Sequence, residues 1–263
     1  YPEAFPLDML KIRQEKDRYV FAAQHQQDPQ PAGGGLFMPE DFPLLAEEPT
    51  YSITYITADT AETEDPRNDA TVFSFWGLYN IEIEGRKTGV MGLHWIACRE
   101  MRVEPKRLEN EFLDFWQDCA RHKMPPMVAF IEKKSTGVTL ISILKGMRGL
   151  KVREIERTRK SGSKSQRFID IQPYIASKQV SLPAHGTHTE MCVNHMKKIT
   201  NNDSHAHDDI ADTCSDAVRI ALIDKMLYIH THKDALFRST TQEANSRLNR
   251  LTDLKKKAYK TRN

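Results

Sequence analysis

Between residues 51 and 97 the chain carries three runs so rich in β-branched and aromatic residues that they read as neighbouring strands: YSITYITA (51–58), TVFSFWGLY (71–79) and GVMGLHWIA (89–97). The second and third are joined by NIEIEGRKT, whose Glu84-Gly85 pair suits a tight turn, so the three form an antiparallel meander. The first strand runs directly into Asp59, which places a carboxylate at its end. From Glu104 to His122, Leu108, Phe112, Phe115, Trp116 and Cys119 recur at spacings of three and four, one face of a helix opened by Pro105. That face predicts a helix packed on the meander.

Beyond this helix the pattern becomes α/β. MVAFIE (127–132), LKVREI (150–155) and QVSLP (179–183) read as strands, separated by helices near 136–147 and 163–176. HDDIADTCSDAVRIALIDKMLYIH then sets Ile210, Ala217, Ile220, Ala221 and Met226 on a helical stripe. A three-strand meander extended by helix-linked strands predicts an α/β fold of ribonuclease-H-like topology, a mixed sheet flanked by helices. Trp76, Trp95 and Trp116 fall inside apolar patterns and are expected in the core rather than as base-stacking platforms.

At 263 residues no disulfide or metal is needed to hold a core together. No apolar run is long enough to span a membrane. Cys98, Cys119, Cys192 and Cys214 lie far apart without a C-x-x-C pair, which predicts four free thiols and a reducing compartment. PLDMLKIRQEKDRYVFAAQ (6–24) reads as a short amphipathic helix, followed by a Gln/Pro/Gly linker. The start lacks an initiator Met and any secretion signal, as expected of a piece of a longer chain. The expected layout is an N-terminal helix and linker (1–44), a folded domain (45–230) and a basic tail (231–263).

Three groups of acids stand at element ends: Asp59, Glu132, and Asp208/Asp209/Asp212. Two of these have an ordinary alternative, since Asp59 could serve a turn and Asp208 or Asp209 could cap a helix. Glu132 has no capping duty before Lys133-Lys134, and Asp209 and Asp212 share one helix face. If the first and fourth strands are neighbours, Asp59 and Glu132 converge. Clustered carboxylates repel one another unless a cation neutralises them, and the natural occupant is a hard divalent ion, Mg²⁺ or Mn²⁺. Two such ions support phosphodiester hydrolysis.

Asp59-Thr60-Ala61 with Asn68-Asp69-Ala70-Thr71, Ile131-Glu132 with Ser135-Thr136-Gly137, and His207-Asp208-Asp209-Ile210-Ala211-Asp212 together resemble the C-terminal nuclease domain of the large terminase subunit of tailed phages and prophages. Phe5-Pro6-Leu7 through Asp28-Pro29, and Gly33-Gly34-Gly35-Leu36-Phe37, are similar to the segment that follows the packaging ATPase in that family. The resemblance spans roughly residues 1–229. It implies an endonuclease cutting concatemeric double-stranded phage DNA by a two-metal mechanism, in the cytoplasm of a bacterial host. Asp59, Glu132 and Asp209 would be the catalytic ligand triad, with Asp208 the competing ligand and Asp212 a helper. The portal and the small terminase subunit would be partners. No G-x-x-x-x-G-K-[ST] phosphate loop is present, so this piece is expected to cut DNA without pumping it.

Net charge is only +2, yet residues 148–167 hold eight basic residues and 233–263 nine. Lys133, Lys160, Lys164 and Arg167 are the candidates for contact with DNA phosphates, although a solvated loop explains the second half of the first stretch equally well. His205 and His207 precede the terminal acids and are candidate helpers. His185, His188, Cys192 and His195 are ligand types suited to zinc, at spacings that fit no common zinc module. Two rival readings follow: a nuclease-like fold that only binds DNA or a motor partner, and a zinc-dependent structural domain.

Overall fold

The computed structural model describes residues 35–61, 70–134, 136–157, 162–200 and 208–227. Its elements are β1 (Leu44–Leu45), β2 (Tyr51–Asp59), β3 (Thr71–Ile83), β4 (Arg86–Met101), α1 (Pro105–Ala120), β5 (Ala129–Glu132), α2 (Thr136–Lys145), β6 (Val152–Ile155), α3 (Lys164–Ala176), β7 (Val180–Pro183), α4 (Thr189–Met196) and α5 (Asp209–Val218). The strands form one mixed sheet ordered β1-β7-β4-β3-β2-β5-β6. β2, β3 and β4 pair antiparallel as the meander, whereas β5 and β6 extend it on one side and β7 and β1 on the other, all parallel. The architecture is the expected ribonuclease-H-like one, a mixed sheet flanked by helices.

Both faces of the sheet are covered, so its central strands are almost continuously buried. On one face Ile56, Ala58, Phe73, Phe75, Ala129 and Ile131 meet α1 and α2 through Phe112, Trp116, Leu140 and Leu144. On the other Tyr55, Trp76, Trp95 and Phe130 meet α3, α4 and α5. The three tryptophans are buried, Trp76 stacked on Trp95 with centroids 4.4 Å apart. The four thiols are free.

Folded structure begins before residue 45. Leu36, Phe37 and Phe42 are core residues, and Leu44 and Leu45 pair with Leu182 and Pro183. The segment 35–45 thus belongs to the domain rather than to a linker, because it supplies apolar side chains and an edge strand. The final stripe is also not one continuous α-helix: after Val218 the chain turns as a π-helix over Arg219–Ile223, closed by Asp224 N–H donating to the Arg219 carbonyl at 2.8 Å. Among the described residues no helix is long and apolar enough to cross a membrane. The helix expected over 6–24 and the whole of the basic tail, 231–263, lie outside the described residues.

Candidate active site

The register of β2 against β5 sets the site. Ile56, Thr57 and Ala58 face Ala129, Phe130 and Ile131, so the next residues of the two parallel strands, Asp59 and Glu132, end side by side. Side chains alternate along a strand, and Asp59 follows Tyr55 and Thr57 onto the α5 face as Glu132 follows Phe130. Both acids therefore meet α5. That helix is bound to the sheet by Tyr55 Oη and Thr57 Oγ1, which donate to the carbonyls of Ala217 (2.9 Å) and Thr213 (3.1 Å). Thr213 Oγ1 also lies 2.9 Å from Ser74 Oγ. With this face fixed, Asp209, Asp212 and Asp216, spaced by three and four residues, project toward the strand ends, and all three are buried.

Motifs distant in sequence are joined by direct hydrogen bonds. Thr136 Oγ1 donates to the Ala61 carbonyl at 2.7 Å, Ala61 N–H to Thr71 Oγ1 at 3.0 Å, and Ala70 N–H to Asp209 Oδ2 at 2.8 Å. Gly137 lets α2 begin against Glu132, since a Cβ there would lie 2.2 Å from the Glu132 carbonyl oxygen.

Three cations enter the cluster. Arg157 forks onto Asp216 (Nη1–Oδ1 2.6 Å, Nη2–Oδ2 2.9 Å) and reaches Glu132 Oε1 through Nε at 3.2 Å. Lys164 bridges Asp208 and Asp212, the latter at 2.9 Å, and Arg167 Nη2 donates to Asp212 Oδ1 at 2.9 Å. Burial, joined by the charges of Asp212, Glu132, Asp209 and Asp216, pushes the Asp59 carboxyl well above the ordinary carboxylate range. Burial likewise holds Asp216 up at about 6 despite Arg157. Arg157 and Lys164 hold their protons more tightly than usual, because the facing carboxylates outweigh the effect of burial.

The strongest charges acting on Asp59 are all negative, and the donor set around it is all carboxylate oxygen; both fit a hard divalent cation. As the side chains stand, however, no group of three or more His, Cys, Asp or Glu among the described residues is arranged to hold a metal ion. Resident cations instead occupy Asp208, Asp212, Asp216 and one oxygen of Glu132.

Asp59, Glu132, Asp209 and Asp212 come together, with Asp208 at the edge of the group. Asp208 does not cap α5 through its side chain, which is taken by Lys164. Lys133 turns away along β6 to Glu154 (2.7 Å) and Glu156 (2.9 Å), and Arg167 is buried rather than on the surface. Lys160, His205 and His207 lie outside the described residues. The possible zinc group is dispersed: His185 is exposed, buried His188 places Nε2 2.9 Å from the Trp95 carbonyl oxygen, and Cys192 is buried beside Cys98. Sequence reasoning missed Arg157 and Asp216. Asp216 could have been found as the continuation of the Asp209–Asp212 stripe, whereas Arg157 carries no local signal.

The sheet order defines an α/β fold of ribonuclease-H-like topology. No protein-family model matches the sequence, and no curated protein does so. Among solved structures, the large terminase from a thermophilic bacteriophage aligns with a TM-score of 0.55 at 13% identity, over 84% of this chain and 52% of its own. The complex of that terminase with ADP aligns with a TM-score of 0.54 at 12% identity, over 84% and 53%. The large terminase nuclease from thermophilic phage G20c, solved with bound zinc, aligns at 14% identity over 70% of this chain and 96% of its own, with a TM-score of 0.38. This chain spans about half the length of the first of these terminases and shares its fold over that part.

Proposed function

We propose that this chain is the DNA-cutting part of a phage or prophage large terminase, hydrolysing phosphodiester bonds of double-stranded DNA with the help of Mg²⁺ or Mn²⁺. The observation that carries this reading is the in-register delivery of Asp59 and Glu132 by two parallel strands onto a helix face bearing Asp209 and Asp212. Asp59, Glu132 and Asp209 would hold the metal, with Asp212 in support. When bound, two divalent ions supply Lewis-acid polarisation of the phosphoryl oxygens and lower the pKa of an attacking water.

The chain's own groups do the rest. The Ala70 N–H orients the Asp209 carboxylate, and Arg157 fixes that of Glu132. Lys164 and Arg167 neutralise Asp208 and Asp212, which lowers the electrostatic barrier to a polyanion approaching an acidic rim. In the assembled motor the portal and the small terminase subunit would be its partners, in the bacterial cytoplasm.

The resident cations favour one second reading, a DNA- or partner-binding module of the motor that does not cut by itself. Nicking and linearisation of supercoiled plasmid by the purified chain in Mn²⁺, Mg²⁺ or EDTA separates the two. Metal-dependent cutting that falls by at least about 100-fold in a folded Glu132→Ala variant is expected. Cutting that survives the substitution would place the site elsewhere, and a folded chain that binds DNA without cutting in either metal would establish the second reading.

A further inference from the structure

A cavity of about 320 Å³ lies beside the acid cluster, walled by Phe130 and Ile155 from the strands, Arg157 just beyond β6, Arg167 from α3, and Arg219 and Ile220 from the π-helical turn. Its carboxylates are already matched. Asp216 is held on both oxygens by Arg157, Glu154 by Lys133 (2.7 Å) and Lys145 (2.5 Å), Glu156 by Lys133 (2.9 Å), and Asp224 by Arg219 (3.3 Å). The unmatched polar group in the wall is a cationic donor. Arg167 is 8% exposed and spends Nη2 on Asp212, while its Nη1 is buried with no hydrogen-bond partner.

A buried guanidinium nitrogen left without an acceptor is costly. Its geometry is suited to phosphate oxygens, and two further arginines share the same wall. The wall also includes Arg157, whose Nε bonds Glu132, so a strand lying across the acids would bring a neighbouring part of its backbone to this cavity. We propose that the cavity seats a backbone phosphate of the DNA strand next to the one being cut, with Arg167 Nη1 as the buried donor. This rests on the nuclease reading and adds to it a positioning subsite separate from the metal ligands. Each wall carboxylate has a basic partner, with Arg157 shared between Asp216 and Glu132 and Arg219 between Asp224 and Asp170.

The test is binding of a fluorescent duplex to the full chain in EDTA, where no cutting occurs, across a salt series. Arg167→Gln is expected to weaken binding about tenfold and to make the slope of log K against log salt shallower by about one. Met226→Glu, which puts a negative charge on the cavity wall without touching Asp212, keeps the test decisive if Arg167→Gln fails to fold, and is expected to weaken binding at least as much. Folded variants that keep wild-type affinity and slope would overturn the proposal. A parallel titration with inorganic phosphate distinguishes the two sources of the anion: variants that lose phosphate binding but keep the duplex would assign the cavity to free phosphate and also overturn it. A wild-type chain that neither binds duplex nor nicks plasmid would sink the nuclease reading itself, whereas a nicking wild type indifferent to both substitutions would sink the subsite alone.

Discussion

Asp59 is held where its charge is least welcome, half-buried and facing Asp212, Glu132, Asp209 and Asp216. An isosteric neutral side chain removes that repulsion while keeping the shape. Asp59→Asn is therefore expected to be more stable than the native chain in EDTA at neutral pH by about 1 kcal/mol. Urea unfolding measures this, and a variant equal to or less stable than the native chain would contradict the charge assignment. The same neighbourhood distinguishes two adjacent acids that the sequence alone left equivalent. Asp208 is occupied by Lys164, whereas Asp209 is oriented by the Ala70 N–H just ahead of β3, and that difference depends on contacts spanning 44 and 139 residues.

α5 sits on the sheet through side-chain hydroxyls as much as through apolar packing. Tyr55 Oη donates to the Ala217 carbonyl in a fully buried setting, and nothing apolar can replace that bond. Tyr55→Phe should cost about 1–2 kcal/mol in urea unfolding, mostly from the stranded carbonyl; a change within experimental error would mean that α5 is held by packing alone. The meander, β5 and α1 were legible in the sequence because each repeats a burial pattern over several residues. β1, at two residues, is too short to show any period, and α4 carries Cys192 and His195, two of the four residues that read as a ligand pattern. The convergence of Asp59, Glu132 and Asp209 was legible because strand ends and helix starts are local features. Arg157 was not, since it meets Glu132 and Asp216 only after β6 has paired with β5.

Stability as a function of pH reflects groups on both sides of the sheet. His94 in β4, 1% exposed with Nδ1 3.0 Å from Ser181 Oγ, is held neutral by burial down to about pH 4, against an ordinary value of 6.5. A histidine depressed in the folded state stabilises the protein fully above its unfolded pKa, and that stability is lost as pH falls through the window from 6.5 to 4, on the order of 3 kcal/mol in all. Asp216 acts in the opposite sense, because a carboxyl raised to about 6 favours the folded state at low pH and loses that contribution as pH rises from 3.8 through 6. The difference in unfolding free energy between the native chain and His94→Gln should therefore shrink as pH is lowered from about 7.5 to about 4.5; a difference independent of pH would show that His94 titrates normally. The indoles of Trp76 and Trp95 lie close enough to share their electronic transitions, while Trp116 lies on the opposite layer with its ring 6.4 Å from that of Phe112. The molecule thus carries two intrinsic optical probes, one a coupled chromophore pair in the meander, the other a single indole in α1, so that light alone can tell which side of the sheet opens first.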